Sequence, residues 1–202
     1  MFGTFEWERE DEKIVYGLVD QPQFFNPAKH QAFYYGKLVE KAQSMDNWQD
    51  KIFAFIKGPG WFPGTPRLGD PTGVPEIQHR EKYDPKVAGW IKVYAVLHFV
   101  LVFLAFDDLG RYNLQMTQTG VLTICTFLFW TLTSIGMVFD KSSLAWASEF
   151  LRSAVFLILY VKMGAWNEFM IPYEILISTF TVSLKISFTN IVVPRGSRVK
   201  IT

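Results

Sequence analysis

The sequence predicts an all-α fold, a helical integral membrane protein with about four transmembrane helices after a cytosolic helix-and-loop segment. Three observations lead there. Half of the 202 residues are hydrophobic and 17% are aromatic, while only 19% are charged, against about 25% in an ordinary soluble domain. The charge is unevenly spread: residues 1–86 hold 24 of the 39 charged residues and eight of the ten prolines. Residues 87–202 contain apolar runs of the length that a hydrocarbon core of roughly 30 Å demands, about 20 residues in helix.

Composition also sets limits on function. Cys125 is the one cysteine, so no internal disulfide can form. A net charge of +1 gives no electrostatic argument for a nucleic-acid partner, and three histidines limit the metal chemistry these residues could host.

The cytosolic segment, residues 21–86, reads as short helices between loops. Asn26 before Pro27 is a helix start, the side chain capping free N–H groups and the proline tolerated at the first helical position; this helix is expected to run to about Gln43. A second is expected to begin with Asp46 as cap and Gln49 three residues later. It continues through Trp48, Ile52, Phe55 and Ile56 at helical spacing and stops at Gly58-Pro59. Its apolar stripe is expected to pack on protein, with the membrane surface as the other reading. From Lys57 to Pro85 the density of Gly and Pro predicts a long loop.

Four apolar runs follow in residues 87–202, predicting helices at about 87–106, 116–139, 143–162 and 172–188. The first has no charge between Val93 and Phe106, and its Lys92 lies near an end from which it can snorkel. Tyr112 to Phe139 is uncharged throughout. The third is interrupted by Glu149 and Arg152, and the fourth carries Lys185 near its end. A soluble bundle would show a polar stripe on each helix; the second run shows none of any width. Arg80, Lys82 and Lys86 before the first helix, Lys141 between the second and third, and Arg195, Arg198 and Lys200 at the end place both termini in the cytosol by the positive-inside rule. Trp90, Trp130, Trp146 and Trp166 are expected near helix ends, as interfacial aromatics. The first 13 residues are acidic with no apolar core, so insertion is expected to rely on the internal helices or on a segment upstream of these residues.

Few residues carry recognisable chemistry. His30, His79 and His98 share no helical spacing. Glu76 and His79 match Glu-x-x-His, but a carboxylate di-iron bundle needs two such motifs and two further Glu, and this one follows Pro75 in a loop. His98 in the first membrane run is either a site or a satisfied histidine near a helix end, the second being the commoner outcome. Glu149 and Arg152, three apart, share a helix face and read either as a polar lining facing a lipid head group or as a mutually neutralising pair. Glu174 beside Pro172 suits a helix N-terminus, and Cys125 deep in the second run is expected to be inert. No phosphate-binding glycine loop, GxSxG or HExxH is present. The residues therefore assign no catalytic or metal-binding position.

Residues 2–20, FGTFEWEREDEKIVYGLVD, resemble the stretch that closes the catalytic domain in the fatty acid hydroxylase and sterol desaturase superfamily. KGPGWFPGTPRLG, Lys57 to Gly69, narrows the resemblance to the alkylglycerol monooxygenase family, also called glyceryl-ether monooxygenases, and LTSIGMVFD, Leu132 to Asp140, fits that family's C-terminal membrane region. The resemblance implies three parts: residues 1–20 as the tail end of the hydroxylase domain, 21–86 as cytosolic helices and loop, and 87–202 as the C-terminal membrane region.

It further implies an endoplasmic reticulum enzyme using a histidine-bound di-iron centre, oxygen and tetrahydrobiopterin. Hydroxylation next to the ether oxygen of an alkylglycerol gives a hemiacetal that falls apart to a fatty aldehyde and a glycerol derivative; iron is needed because the C–H bond is unactivated. The family's iron ligands lie in histidine boxes before the FGTF segment, and none of His30, His79 or His98 matches a box position. The expectation is a C-terminal fragment, inactive alone, that works with an ether lipid and with the catalytic N-terminal part or a full-length enzyme. The alternative is a non-catalytic membrane interaction module derived from that enzyme. A small transporter fits less well, because no pair of broken helices repeats between the halves.

Overall fold

The structure is a computed structural model that describes residues 21–58, 60–70, 83–163 and 172–192. Among these residues every regular element is helical: α1 (Pro27–Gln43), α2 (Trp48–Lys57), α3 (Gly89–Tyr112), α4 (Gln118–Phe139), α5 (Ala145–Met163) and α6 (Tyr173–Val192), with a short 3₁₀ turn at Asn113–Gln115. The chain divides into two compact units, one of residues 1–23 and 32–84, the other of residues 24–31 and 85–202.

In the first unit, α1 extends to Gln43, the end expected from its sequence, and α2 stops at Gly58. The cap of α2 departs from expectation. Asn47, not Asp46, occupies the N-cap position, and its side chain makes no capping bond; its Nδ2 donates instead to Asp50 Oδ2 at 3.2 Å. The core consists of Ala42, Met45, Ala54 and Trp61. Phe53 meets Trp61 edge to face, and the Lys57 ammonium sits over both rings.

Among the described residues nothing covers the α2 stripe expected to pack on protein: Trp48, Ile52, Phe55 and Ile56 are all exposed, and the helix buries Ala54 instead. The small face of α2 allows close approach to Trp61, which leaves the bulky residues outward. Past α2 the loop folds on itself. Trp61 N–H reaches the Gly58 carbonyl at 3.2 Å, and Thr65 Oγ1 accepts from Phe62 N–H and donates to its carbonyl.

The second unit begins with residues 24–31, which include the first turn of α1. Asn26 Oδ1 accepts from the N–H groups of Ala28 at 2.9 Å and Lys29 at 3.2 Å, the cap expected from the sequence. The chain is held to the end of α4 by the Asp140 carboxylate, which accepts from Phe25 N–H at 2.7 Å and Asn26 N–H at 3.1 Å.

The long helices of this unit form an antiparallel bundle in which α5 packs on α6 and α4 packs on both α3 and α5. Ile91, Val138 and Ala145 cluster at one end, so α3 and α5 begin where α4 ends. α3 runs beyond the end expected near Phe106, because the Asp107–Arg111 pair at 2.8 Å supports another turn. Thr117 starts α4 by accepting from Gly120 N–H at 3.2 Å, and Pro172 starts α6, its carbonyl accepting from Ile175 N–H, with Glu174 exposed in the first turn.

Among the described residues three helices are long and apolar enough to cross a membrane: Gly89–Gln115 including the 3₁₀ turn, Gln118–Phe139 and Glu174–Val192. α5 has 19 residues, but it carries Glu149, Arg152 and Lys162.

Candidate functional site

Spacing along α5 builds the site. At 100° per residue, Glu149, Arg152, Ser153, Phe156 and Tyr160 fall within one face, and packing on the neighbouring helices buries its polar members. Glu149, Arg152 and Ser153 are each 0% exposed. Arg152 Nη2 lies 2.6 Å from Glu149 Oε2. An ionised side chain inside a membrane bundle is costly unless paired, and here each charge neutralises the other. The sequence's second reading of this pair, mutual neutralisation, is the one the geometry carries.

α3 completes the pair. The Tyr94 hydroxyl donates to Glu149 Oε2 and lies 3.5 Å from Arg152 Nη2. One turn on, His98 is buried against the Tyr94 ring. Its Nδ1 faces the Tyr94 carbonyl at 3.0 Å and therefore carries a proton. Its Nε2 lies 3.0 Å from Ser183 Oγ on α6. That hydroxyl is also 2.8 Å from the Thr179 carbonyl, so its single proton serves one of the two at a time. His98 is thus a satisfied histidine linking two helices. Below it, Phe180 stacks on Phe156 at 3.8 Å and lies under the Arg152 guanidinium at 5.1 Å.

A second polar contact joins α4 to α5. Ser148 Oγ accepts from Trp130 Nε1 at 3.1 Å and from Ser134 Oγ at 3.0 Å. Trp130 was expected near a helix end, but it lies in the interior of α4 with its N–H committed to this bond. Trp90 and Trp146 do sit at helix starts, stacked at 6.0 Å.

The cluster is not fully satisfied within itself. Glu149 Oε1, Arg152 Nε and Nη1, Ser153 Oγ and Tyr160 Oη are buried without hydrogen-bond partners, which leaves both donor and acceptor capacity turned inward. The sequence singled out Glu149, Arg152 and His98. It missed Tyr94, Ser134, Ser148 and Ser183; the available signal was the four-residue spacing of Tyr94 with His98 and of Thr179, Ser183 and Ser187.

The other candidates stay apart. His30 Nε2 bonds the Phe24 carbonyl at 2.8 Å, and Cys125 faces outward from α4. Glu76, His79 and Trp166 lie outside the described residues. Among the described residues no three His, Cys, Asp or Glu side chains converge as metal ligands.

Comparison with known proteins gives this bundle its relatives. Residues 91–188 match the alkylglycerol monooxygenase C-terminal domain. The chain is 34% identical over 185 residues to alkylglycerol monooxygenase of Xenopus tropicalis, covering 91% of this chain and 41% of the relative. It is 34% identical to that of Homo sapiens, covering 79% of this chain and 36% of the relative, and 31% identical to that of Danio rerio, covering 92% and 42%. The chain therefore spans about two fifths of the length of these relatives. No solved structure gives a significant match. Through this C-terminal domain and the identities along most of its length, the chain belongs to the alkylglycerol monooxygenase family.

Proposed function

We propose that these residues form the C-terminal, membrane-embedded part of an ether-lipid monooxygenase of the endoplasmic reticulum. They act beside a catalytic part that supplies the iron-binding histidines and uses tetrahydrobiopterin, releasing a fatty aldehyde and a glycerol derivative from an alkylglycerol. One observation carries the membrane role. The second unit is inside out relative to a soluble bundle: Arg152, His98 and Glu149 are among its largest fully buried side chains, while Val93, Phe99, Phe103, Leu122 and Val182 are exposed. α5 crosses with the three apolar spans, because it starts where α4 ends and α6 returns the chain to that same end. The basic residues flanking α3 and α4 support cytosolic termini.

The described residues do not fit a di-iron centre. Both ring nitrogens of His98 and the Nε2 of His30 face protein partners, and no ligand cluster surrounds either. No step of the reaction is assigned to them, and the 202 residues alone are expected to leave ether bonds intact.

A chimera tests this reading. The chain replaces the matching region of the Xenopus tropicalis relative, and microsomes are assayed for tetrahydrobiopterin-dependent aldehyde release. Activity in the chimera and none from the 202 residues alone is the expected result. Stoichiometric iron and aldehyde release from the 202 residues alone would overturn it. An inactive chimera that still co-purifies with full-length enzyme would favour a non-catalytic interaction module.

A further inference from the structure

The first unit turns the bulky side of α2 outward. At about 100° per residue, Phe55, Trp48, Ile52 and Ile56 share one arc of the helix, and each is between 47% and 68% exposed. Lys51 borders the arc on one side and Gln49 on the other, while Asp50 and Lys57 lie round the back with Ala54. The helix is fixed from behind: Ala54 is 0% exposed in the core of the unit, and the Lys57 ammonium sits over the Phe53 and Trp61 rings. Rolling the bulky side chains inward would give up that core.

The chemistry of the arc selects the kind of surface that meets it. Apart from the Trp48 indole N–H at the first helical position, the four side chains offer no hydrogen-bonding group, whereas a protein interface carries about one hydrogen bond per 100–200 Å². Lipid asks for none. Tryptophan, phenylalanine and isoleucine on one face, with lysine beside them, are the pattern of a helix lying in the plane of a membrane surface.

Connectivity keeps such a surface within reach. The part of the first unit that holds α2 runs from Ala32 to Asp84. Gly89 opens the first apolar span after Asp84, so at most about 18 Å of chain separates the two. At the other joint, Ala32 follows closely on Asn26, whose N–H bonds Asp140 at 3.1 Å, directly after the second span. Those two span ends lie together through Ile91 and Val138. Both joints are therefore chained to the same side of the bundle, whatever the orientation of the first unit.

We propose that α2 lies in the membrane surface that the spans cross, with Trp48, Ile52, Phe55 and Ile56 among the upper acyl chains and Lys51 at the level of the head groups. This rests on the membrane reading of the second unit given above. Spin labels on the full chain test the two separately. In a Cys125→Ala background, Ile52→Cys and Phe99→Cys are labelled in separate preparations and reconstituted in dioleoylphosphatidylcholine vesicles. Relaxation by oxygen, which enters lipid, is compared with relaxation by a nickel chelate, which stays in water. Phe99 is exposed within the first span and reports on the second unit; Ile52 is exposed and reports on α2. The oxygen-to-nickel ratio is expected to exceed unity at both positions. A ratio above unity at Phe99 and below unity at Ile52 would overturn the proposal by putting the α2 face in water. Exclusion of both reagents from the Ile52 label would overturn it in favour of a protein partner. A ratio below unity at Phe99 would overturn the membrane reading, and this proposal with it.

Discussion

Asn26 crosses α4 directly over Gly136: a Cβ at Gly136 would lie 2.7 Å from the Asn26 Cα and 2.8 Å from the Phe25 carbonyl oxygen. One turn further, Asp140 takes the two amides of the same segment. Gly136→Ala is expected to lift the segment and destabilise the bundle by about 1–3 kcal/mol. Asp140→Asn, which keeps one acceptor oxygen, costs less, about 1 kcal/mol. Hydrogen exchange at the Phe25 and Asn26 amides checks both, and it speeds up more in the alanine variant.

The Glu149–Arg152 pair is expected to behave as a unit. Arg152→Met strands a buried carboxylate and costs about 3–5 kcal/mol, whereas Glu149→Leu with Arg152→Met costs far less than the sum of the single changes. Unfolding titrations in detergent on the two single variants and the double variant measure the coupling. Additive losses would mean that the pair does not neutralise itself.

Gly69 and Gly64 separate two kinds of glycine requirement in the loop of the first unit. Both have positive φ, 87° and 89°, but a Cβ at Gly69 would meet the Gly60 carbonyl oxygen at 2.4 Å while one at Gly64 meets nothing within 4 Å. Gly64→Ala is expected to cost about 1 kcal/mol, the left-handed penalty alone. Gly69→Ala costs clearly more, because backbone must move. Trp61, buried beside this loop, reports the difference by its fluorescence during unfolding.

The exposed face of α2 makes little contribution to stability in this chain. Phe55→Ser and Ile56→Ser are each expected to change unfolding free energy by no more than about 0.5 kcal/mol, whereas Ala54→Leu, at 0% exposure, overpacks the core and costs about 1–3 kcal/mol. Thermal unfolding of the three variants, side by side, checks the ranking.

The elements that were legible are those whose signal is local. Asn26-Pro27 marks the start of α1 because cap and ring act within one turn, and the long apolar runs mark the four bundle helices by length alone. The end of α3 was missed because Asp107 and Arg111 look like a boundary by charge and act as an intrahelical pair by geometry. The outward turn of the α2 stripe was missed because periodicity shows that a face is apolar and not which neighbour meets it; the contact with Trp61 favours the small side chain of Ala54. Glu149 and Arg152 were legible as a pair through their three-residue spacing. Their partner Tyr94 lies 55 residues from Glu149 in sequence, and no local rule joins positions that far apart.

The hydroxyls along α4 and α6 have a bearing on how the protein is made. Thr123, Thr126 and Thr131 donate to carbonyls four residues back in α4, and Ser183 and Ser187 have the same option in α6. Those hydroxyls therefore add no unmet donor to a helix that stands alone in lipid. α5 is different, because its Glu149–Arg152 pair is completed by the Tyr94 hydroxyl of α3 and its Ser148 accepts from Trp130 and Ser134 of α4. In the proposed membrane reading, α5 is therefore expected to depend on α3 and α4 for its place in lipid.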